Sequence, residues 1–344
     1  MNKRVTICDI AEAAGVSSCC VSWVLRDHPR SRDMNVKTRQ RILDAAARLG
    51  YVQNQLAIAV RTGQVNTIAV VLSYSKYQTI APFSQVMTGI MFEASERRWS
   101  VKIFSEDKLD DSFQQIVENR ISKVLMMSVN DRQRERAAEL AEKYSLYLVY
   151  AFERGIGRFP AVNADNVETA SNMVRYLAAH GHSRIGLLCV PHSHCYQEDR
   201  HAGYLKGMVE CGLKTDPRWI RCSEDTHRSL EEIFALPAKQ RPTALVALSD
   251  SIAAKVQSYA MRSGMDFPKD ISVIGIGDTD IAWQLPYPLT TMRESLQETG
   301  KLLVRLLMKD PIDIRPDEFN VYHTHSVLVE RESVFNINNQ GRKK

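Results

Sequence analysis

The sequence predicts an N-terminal all-α head followed by an α/β two-lobed body built on parallel sheets. Three observations carry that expectation. Short amphipathic helical patterns fill the first 50 residues, apolar strand-like runs alternate with helical stretches from residue 67 onward, and the two regions differ in charge. At 344 residues the chain is long enough for two or three domains, each with its own core. Its 44% apolar and 25% charged residues are ordinary globular values, which excludes wholesale disorder.

In the head, Ile7, Ile10, Ala11 and Ala14 recur at the spacing of one helical stripe. Thr6 can cap that helix, with Asp9 completing an abbreviated capping box, and Gly15 permits a sharp exit. Ser17 is the natural N-cap of a second helix whose Val21, Val24 and Leu25 face inward. At about 100° per residue, Cys19, Ser22, Trp23 and Arg26 fall on the opposite side. A third helix runs from about Val36, capped by Asn35, through Ile42, Ala46 and Leu49 to Gly50. Two short helices joined by a Gly-containing turn, closed by a third, form the helix-turn-helix arrangement, whose second helix enters the major groove. A generic three-helix bundle is the alternative.

From residue 67 the runs "TIAVVLS", "SVKIFSE", "KVLMMSV", "YLVYAF", "RIGLLCV", "TALVALSD" and "ISVIGIGD" read as strands. Amphipathic segments such as "SQVMTGIMFEASERR" and "RERAAELAEKY" separate them. Continuous apolar strands alternating with helices imply parallel sheets covered on both faces, and about 270 residues imply two lobes. The expected division is 1–50 for the head, 51–66 for a linker, 67–333 for the body and 334–344 for a tail. That tail, "VFNINNQGRKK", has no heptad repeat, so a tetramer held by a C-terminal coil is not expected.

The first 64 residues carry ten Lys/Arg against five Asp/Glu, and the remainder carries 35 of each. A small basic head on a neutral body points to a polyanion met by the head alone, although a solvated basic face fits the charge equally. No apolar run approaches the roughly 20 residues of a membrane span, and "MNKRVTICDI" lacks a signal-peptide segment. A cytoplasmic protein without a membrane partner is expected. Seven cysteines without framework spacing suit a reducing compartment better than a disulfide scaffold. His192, His194 and Cys195 in "PHSHCY" lack paired ligands at zinc spacing, so a solvated loop, no metal and no other cofactor are expected.

The stretches "VTICDIAEAAGVSSCCVSWVL" and "NVKTRQRILDAAARLGYVQNQLAIAVRTG" resemble the DNA-binding head and hinge of the lactose/galactose repressor (LacI/GalR) family of bacterial transcription regulators. The resemblance continues through "HGHSRIGLL", "DRHAGYLKGM", "ISVIGIGD" and "PLTTMRES" to "VLVERES", near residue 333. It implies a periplasmic-binding-protein-like body closing on a small-molecule effector, with a sugar or sugar derivative as the leading class. It also implies a homodimer that reads a pseudo-palindromic double-stranded DNA operator, as a repressor.

By the resemblance, Ser18 and Cys19 choose the operator sequence, Thr6, Ser17 and Ser22 bind phosphates, and Asn35 joins the DNA-binding set. Trp23 stands where the family has arginine. An arginine grips guanine O6 and N7 with two hydrogen bonds, whereas an indole offers one N–H and an apolar face suited to a thymine methyl. A·T is therefore expected where relatives demand G·C; a tryptophan packed on its own third helix is the alternative. Cys20 replaces a threonine and donates weakly to phosphate, and the vicinal Cys19–Cys20 pair is either two small side chains or a redox element. In the hinge, the minor-groove wedge falls on Val60, or on Leu56 in a shifted register.

In such bodies the loops after the strand ends line the cleft. Arg200 matches the family's ligand-binding arginine and Phe83 a residue of the cleft wall. Ser249 precedes Asp250 where relatives have asparagine, and Gly277 precedes Asp278 where relatives have a first aspartate. These four complete the ligand-binding set. Arg200 can fork to a carboxylate, a phosphate or vicinal hydroxyls, or serve as a structural salt bridge. "GIGDTD" and "GIGRFP" lack the third glycine of a dinucleotide loop, and H-E-x-x-H and G-x-S-x-G are absent. An enzyme, or a carrier of the same two-lobed fold, is the lesser alternative.

Overall fold

The computed structural model describes residues 5–52, 65–73, 80–191 and 194–338. The chain divides into two compact units, Met1–Val65 and Asn66–Lys344. The hinge positions Leu56 and Val60, together with His192, lie outside the described residues.

The smaller unit contains α1 (Ile7–Ala14), α2 (Ser18–Leu25), α3 (Pro29–Arg32) and α4 (Val36–Arg48). Thr6 Oγ1 accepts the Asp9 N–H while the Asp9 carboxylate accepts the Thr6 N–H at 2.7 Å, a reciprocal cap. Gly15 then takes φ 62°, a left-handed turn that any Cβ would strain, and the chain swings through 106° into α2. That angle is the one by which helix-turn-helix units separate their two helices, about 90 to 120°. Ser17 and Asn35 cap α2 and α4 through their side-chain oxygens. Ile10, Val21, Val24 and Ile42 close the core with the alanines of α1 and α4. The one element not anticipated is α3. Asp27 ends α2 at φ 48°, Pro29 presets the next turn, and His28 Nδ1 accepts the Arg30 N–H.

The larger unit begins with β1 (Thr67–Leu72), α5 (Ile80–Glu96), β2 (Ser100–Ser105), α6 (Leu109–Glu118) and β3 (Lys123–Met127). It continues with α7 (Asp131–Lys143), β4 (Tyr147–Ala151) and β5 (Ala161–Ala164). The second lobe comprises α8 (Asn166–Ala179), β6 (Ile185–Cys189), α9 (Cys195–Glu210), β7 (Ile220–Cys222), α10 (Thr226–Phe234) and β8 (Ala244–Ala247). After these come α11 (Asp250–Arg262), β9 (Ser272–Ile276), α12 (Asp280–Gln284) and β10 (Thr291–Glu294). The chain then returns with α13 (Leu296–Leu307) and β11 (Val321–Thr324) before ending on β12 (Ser326–Val329).

Among the described residues two six-stranded sheets form, ordered β2-β1-β3-β4-β5-β11 and β7-β6-β8-β9-β10-β12. The two orders match strand for strand, and every pairing is parallel except β10 with β12. All seven strands read from the sequence are present. The strands missed there are short, and three of them, Ile220–Cys222, Val321–Thr324 and Ser326–Val329, are only partly buried, so no continuous apolar run marks them.

Alternate residues of the second sheet feed opposite cores. Leu188, Leu245, Ala247 and Val273 meet α10 and α11, whereas Ile185, Leu187, Val246 and Ile274 meet α8 and α9. In the first lobe α5 and α13 cross at Gly89 and Gly300, where a methyl group on either would overlap backbone of the other helix. Because α13 follows β10 yet packs in the first lobe, the chain crosses between lobes at Asp165, Ser295 and His325. The crossings are tied together: Asp165 N–H donates to Thr324 O at 2.9 Å and Ser295 Oγ to His325 O at 2.8 Å.

One expectation is corrected. Cys189 and Cys222 form a disulfide, although their spacing follows no disulfide framework. The cause is register, because β6 and β7 run side by side with Cys189 opposite Cys222 and their Cα atoms 4.4 Å apart. Cys19 and Cys20 remain free thiols.

The start of the expected tail docks on the second lobe. Phe335 O bonds His182 Nε2 at 3.0 Å, and Thr243 Oγ1 engages the other ring nitrogen. Burial pushes the His182 imidazole down to about 4 from 6.5. Between those values the unfolded chain binds a proton that the native chain refuses, so this stability is complete above pH 6.5 and lost as pH falls toward 4. Denaturant unfolding across that window is expected to show a loss on the order of 3 kcal/mol that His182→Gln lacks. Parallel curves for the two proteins would contradict the assignment.

Candidate functional site

The larger unit encloses a cavity of about 520 Å³ between its lobes, a volume typical of small-molecule sites. Its lining comes from the carboxyl ends of strands: Val129 after β3, Phe152 after β4, Asn163 on β5, Ser249 after β8, Gly277 after β9 and Glu294 on β10. That is where open α/β sheets bind ligands. Phe83 on α5 meets Phe152 with ring centroids 5.2 Å apart, so an aromatic wall closes the first-lobe side.

Arg200 sits at the centre, only 8% exposed. Its Nε donates to Asn166 Oδ1 at 2.8 Å, Nη1 to the Leu248 carbonyl at 3.1 Å and Nη2 to Glu294 Oε1 at 2.8 Å. The guanidinium also lies over the Tyr196 ring, 5.2 Å from its centroid. A buried cation is tolerable only when paired and hydrogen-bonded, and three protein acceptors meet that need.

Asp250 is 1% exposed and likewise engaged. Oδ1 accepts Thr291 Oγ1 at 2.6 Å; Oδ2 accepts the Thr279 N–H at 2.7 Å and its hydroxyl at 3.0 Å. Burial raises its pKa, with these hydrogen bonds opposing. Ser249 caps α11 through the Ile252 N–H. Gly277, at φ 129°, runs past the Asp250 carboxylate, which explains why this position carries no acid: a Cβ there would be strained and would lie 3.2 Å from Asp250 Oδ2.

The cavity thus brings together Phe83, Arg200, Ser249, Asp250 and Gly277. It does not include Asp278, whose carboxylate is clamped outside the lining by Arg293 Nε at 2.6 Å and Arg331 Nη2 at 2.7 Å. Burial alone would raise its pKa, but the two arginines hold the group below the usual carboxylate range.

Sequence reading missed several lining residues. Glu294 and Asn163 lie on strands too short to be recognised, and His194 and Tyr196 belong to a segment taken for a solvated loop. Beside the cavity, Glu153 is 3% exposed, and its Oε1 lies 3.8 Å from His194 Nδ1 with neither atom hydrogen-bonded. Burial raises the Glu153 pKa, opposed by Cys195, Arg134 and His194. The rule that finds Ser249, to inspect the residues just past the end of an apolar strand, also reaches Glu153 in "YLVYAFER". Among the described residues no group of three or more metal-ligating side chains occurs.

In the smaller unit, Ser17, Ser18 and Cys19 are exposed at the start of α2, and Thr6 and Asn35 are exposed at the starts of α1 and α4. Ser22 and Trp23 are half-buried. The Trp23 indole stacks on His28, and the Arg30 guanidinium lies over it, so its ring contacts run into the connection after α2.

Comparison with known proteins gives a consistent pattern. Residues 6–54 match the family described as bacterial regulatory proteins, lacI family, and residues 174–334 match the periplasmic binding protein-like domain. The HTH-type transcriptional repressor CytR of Escherichia coli (strain K12) is 27% identical over 320 residues, covering 88% of this chain and 89% of that protein. The HTH-type transcriptional repressor PurR of Pasteurella multocida (strain Pm70) is 26% identical over 339 residues, covering 96% and 98%. The chain therefore carries a lacI-family DNA-binding domain and a periplasmic-binding-protein-like domain.

Among solved folds, the lac repressor dimer bound to operator and the anti-inducer ONPF superimposes with a TM-score of 0.71 at 22% identity, covering 97% of this chain and all of that one. The transcriptional regulator CelR–cellobiose complex gives 0.65 at 20% identity, covering 96% and 100%. The protein is a DNA-binding transcription regulator with a lacI-family helix-turn-helix head and a two-lobed body. Gly277→Asp, which would place at this position the acid that the resemblance led one to expect, is expected to lower unfolding free energy by about 1 to 3 kcal/mol through backbone strain and repulsion from Asp250. An unchanged thermal midpoint would show that the loop accommodates the side chain.

Proposed function

We propose that the protein is an allosteric transcriptional repressor that binds a pseudo-palindromic operator as a homodimer and responds to a neutral, hydroxyl-bearing effector, a sugar or sugar derivative. The observation that carries the effector class is the occupation of Arg200. Among the described residues, its pairing with Glu294 leaves the carboxylates Glu224 and Asp250 in the lining and no spare lysine or arginine for a phosphate or carboxylate. Phe83, Phe152 and Tyr196 supply faces for the apolar side of a ring, and Asn163, Ser249 and Ser251 supply polar groups at its edge.

The relatives support the regulatory reading. CytR and PurR are named as transcriptional repressors, and the similar folds include a complex with cellobiose and a dimer on its operator. The proposed DNA-binding set is Ser18 and Cys19 toward bases, with Thr6, Ser17, Ser22 and Asn35 toward the backbone. Trp23 offers an apolar edge in place of an arginine fork, favouring A·T in each half-site. An effector acts by binding one state of the protein better than the other, and operator and effector then change each other's affinity by one common factor.

The test is thermal unfolding of the full chain with neutral mono- and disaccharides, nucleosides and their phosphorylated counterparts. A neutral compound at 100 times its Kd is expected to stabilise the protein by about 2.7 kcal/mol. Its phosphorylated form is expected to have no effect. Stabilisation by phosphorylated compounds alone would overturn the effector class.

A further inference from the structure

The connection after the recognition helix holds a cluster without a counterpart in the reading of α2 itself. Trp23 stacks on His28 with ring centroids 6.2 Å apart and planes 22° from parallel. The Arg30 Cζ lies 5.5 Å from the Trp23 ring centroid, within cation–π range. The turn is fixed by backbone as well: His28 N–H donates to Trp23 O at 3.0 Å, and His28 Nδ1 accepts the Arg30 N–H at 3.2 Å. Arg30 and Arg32, the two cations of α3, are both exposed, and α3 is anchored by Ser31, which is 1% exposed. Asp27, in the same connection, is engaged by Arg39 at 3.5 Å.

We infer that Trp23 is a platform that presents Arg30 to a phosphate of the operator backbone at the wall of the groove entered by α2. Two observations favour phosphate over a base. The N-terminal part of a recognition helix reaches the base edges, and Arg30 lies beyond its C-terminal end. The guanidinium is also fixed at one point by the indole, which reduces the rotamer freedom lost when it grips a phosphate. This inference rests on the operator-binding reading of the head.

The experiment uses the full-length protein and duplexes selected by the wild type from a random pool. Operator affinity is measured against salt concentration for wild type, Trp23→Ala, Trp23→Phe, Arg30→Ala and Arg30→Lys, with circular dichroism reporting the fold. Arg30→Ala is expected to reduce the slope of log affinity against log salt by about 1, with base preference unchanged. Trp23→Ala is expected to lose that same contact, Trp23→Phe to keep most of it, and adding Arg30→Ala to Trp23→Ala to cost nothing further in slope. An unchanged slope in folded Arg30→Ala would overturn the inference, and so would relaxed base preference at one position, which would mark Arg30 as a base reader. Failure of the wild type to select any duplex would instead defeat the operator-binding reading.

Discussion

The two-lobed body depends on the charge of Arg200 being satisfied by the chain itself. Asn166 begins α8 just after one crossing between lobes, and Glu294 ends β10 just before another. By bonding both, together with the Leu248 carbonyl, Arg200 holds two crossings and the end of β8 in one network. Buried ion pairs are poor general stabilisers, because desolvation offsets much of their attraction. Their value is in geometry, since any rearrangement that separates the partners strands a charge in low dielectric. The floor of the cleft is therefore tied to both crossings through one side chain.

The same economy governs the acids. Asp250 is taken up by Thr279 and Thr291, and Asp278 by Arg293 and Arg331. Gly277 suits this arrangement, because its φ of 129° strains any side chain and a Cβ would come within 3.2 Å of Asp250 Oδ2.

Much of this was legible in the sequence, and the limits have physical causes. The capping residues Thr6, Ser17 and Asn35 signal helix starts through local hydrogen bonds, so the head could be read nearly residue by residue. Six of the seven strands read from the sequence were legible as buried apolar runs with both sheet faces covered, and the edge strand Ser100–Ser105, largely exposed, was legible from its apolar content alone. The strands that bridge the lobes were not, since "TMRE" and "VYHT" owe their conformation to partners distant in sequence. For the same reason Arg200 was found but not Glu294, and Asp278 was grouped with the cleft although its partner Arg331 lies 53 residues further on. The turn Pro29–Arg32 carries composition cues, but its relation to Trp23 is visible only in three dimensions.

The most direct measurement is a double-mutant cycle on Arg200→Met and Glu294→Gln, read as the free energy of unfolding. Each single change is expected to cost about 3 to 5 kcal/mol by leaving a buried partner unpaired, and the double mutant to cost clearly less than their sum. Additivity within about 0.5 kcal/mol would contradict the account, because the two side chains would then act independently.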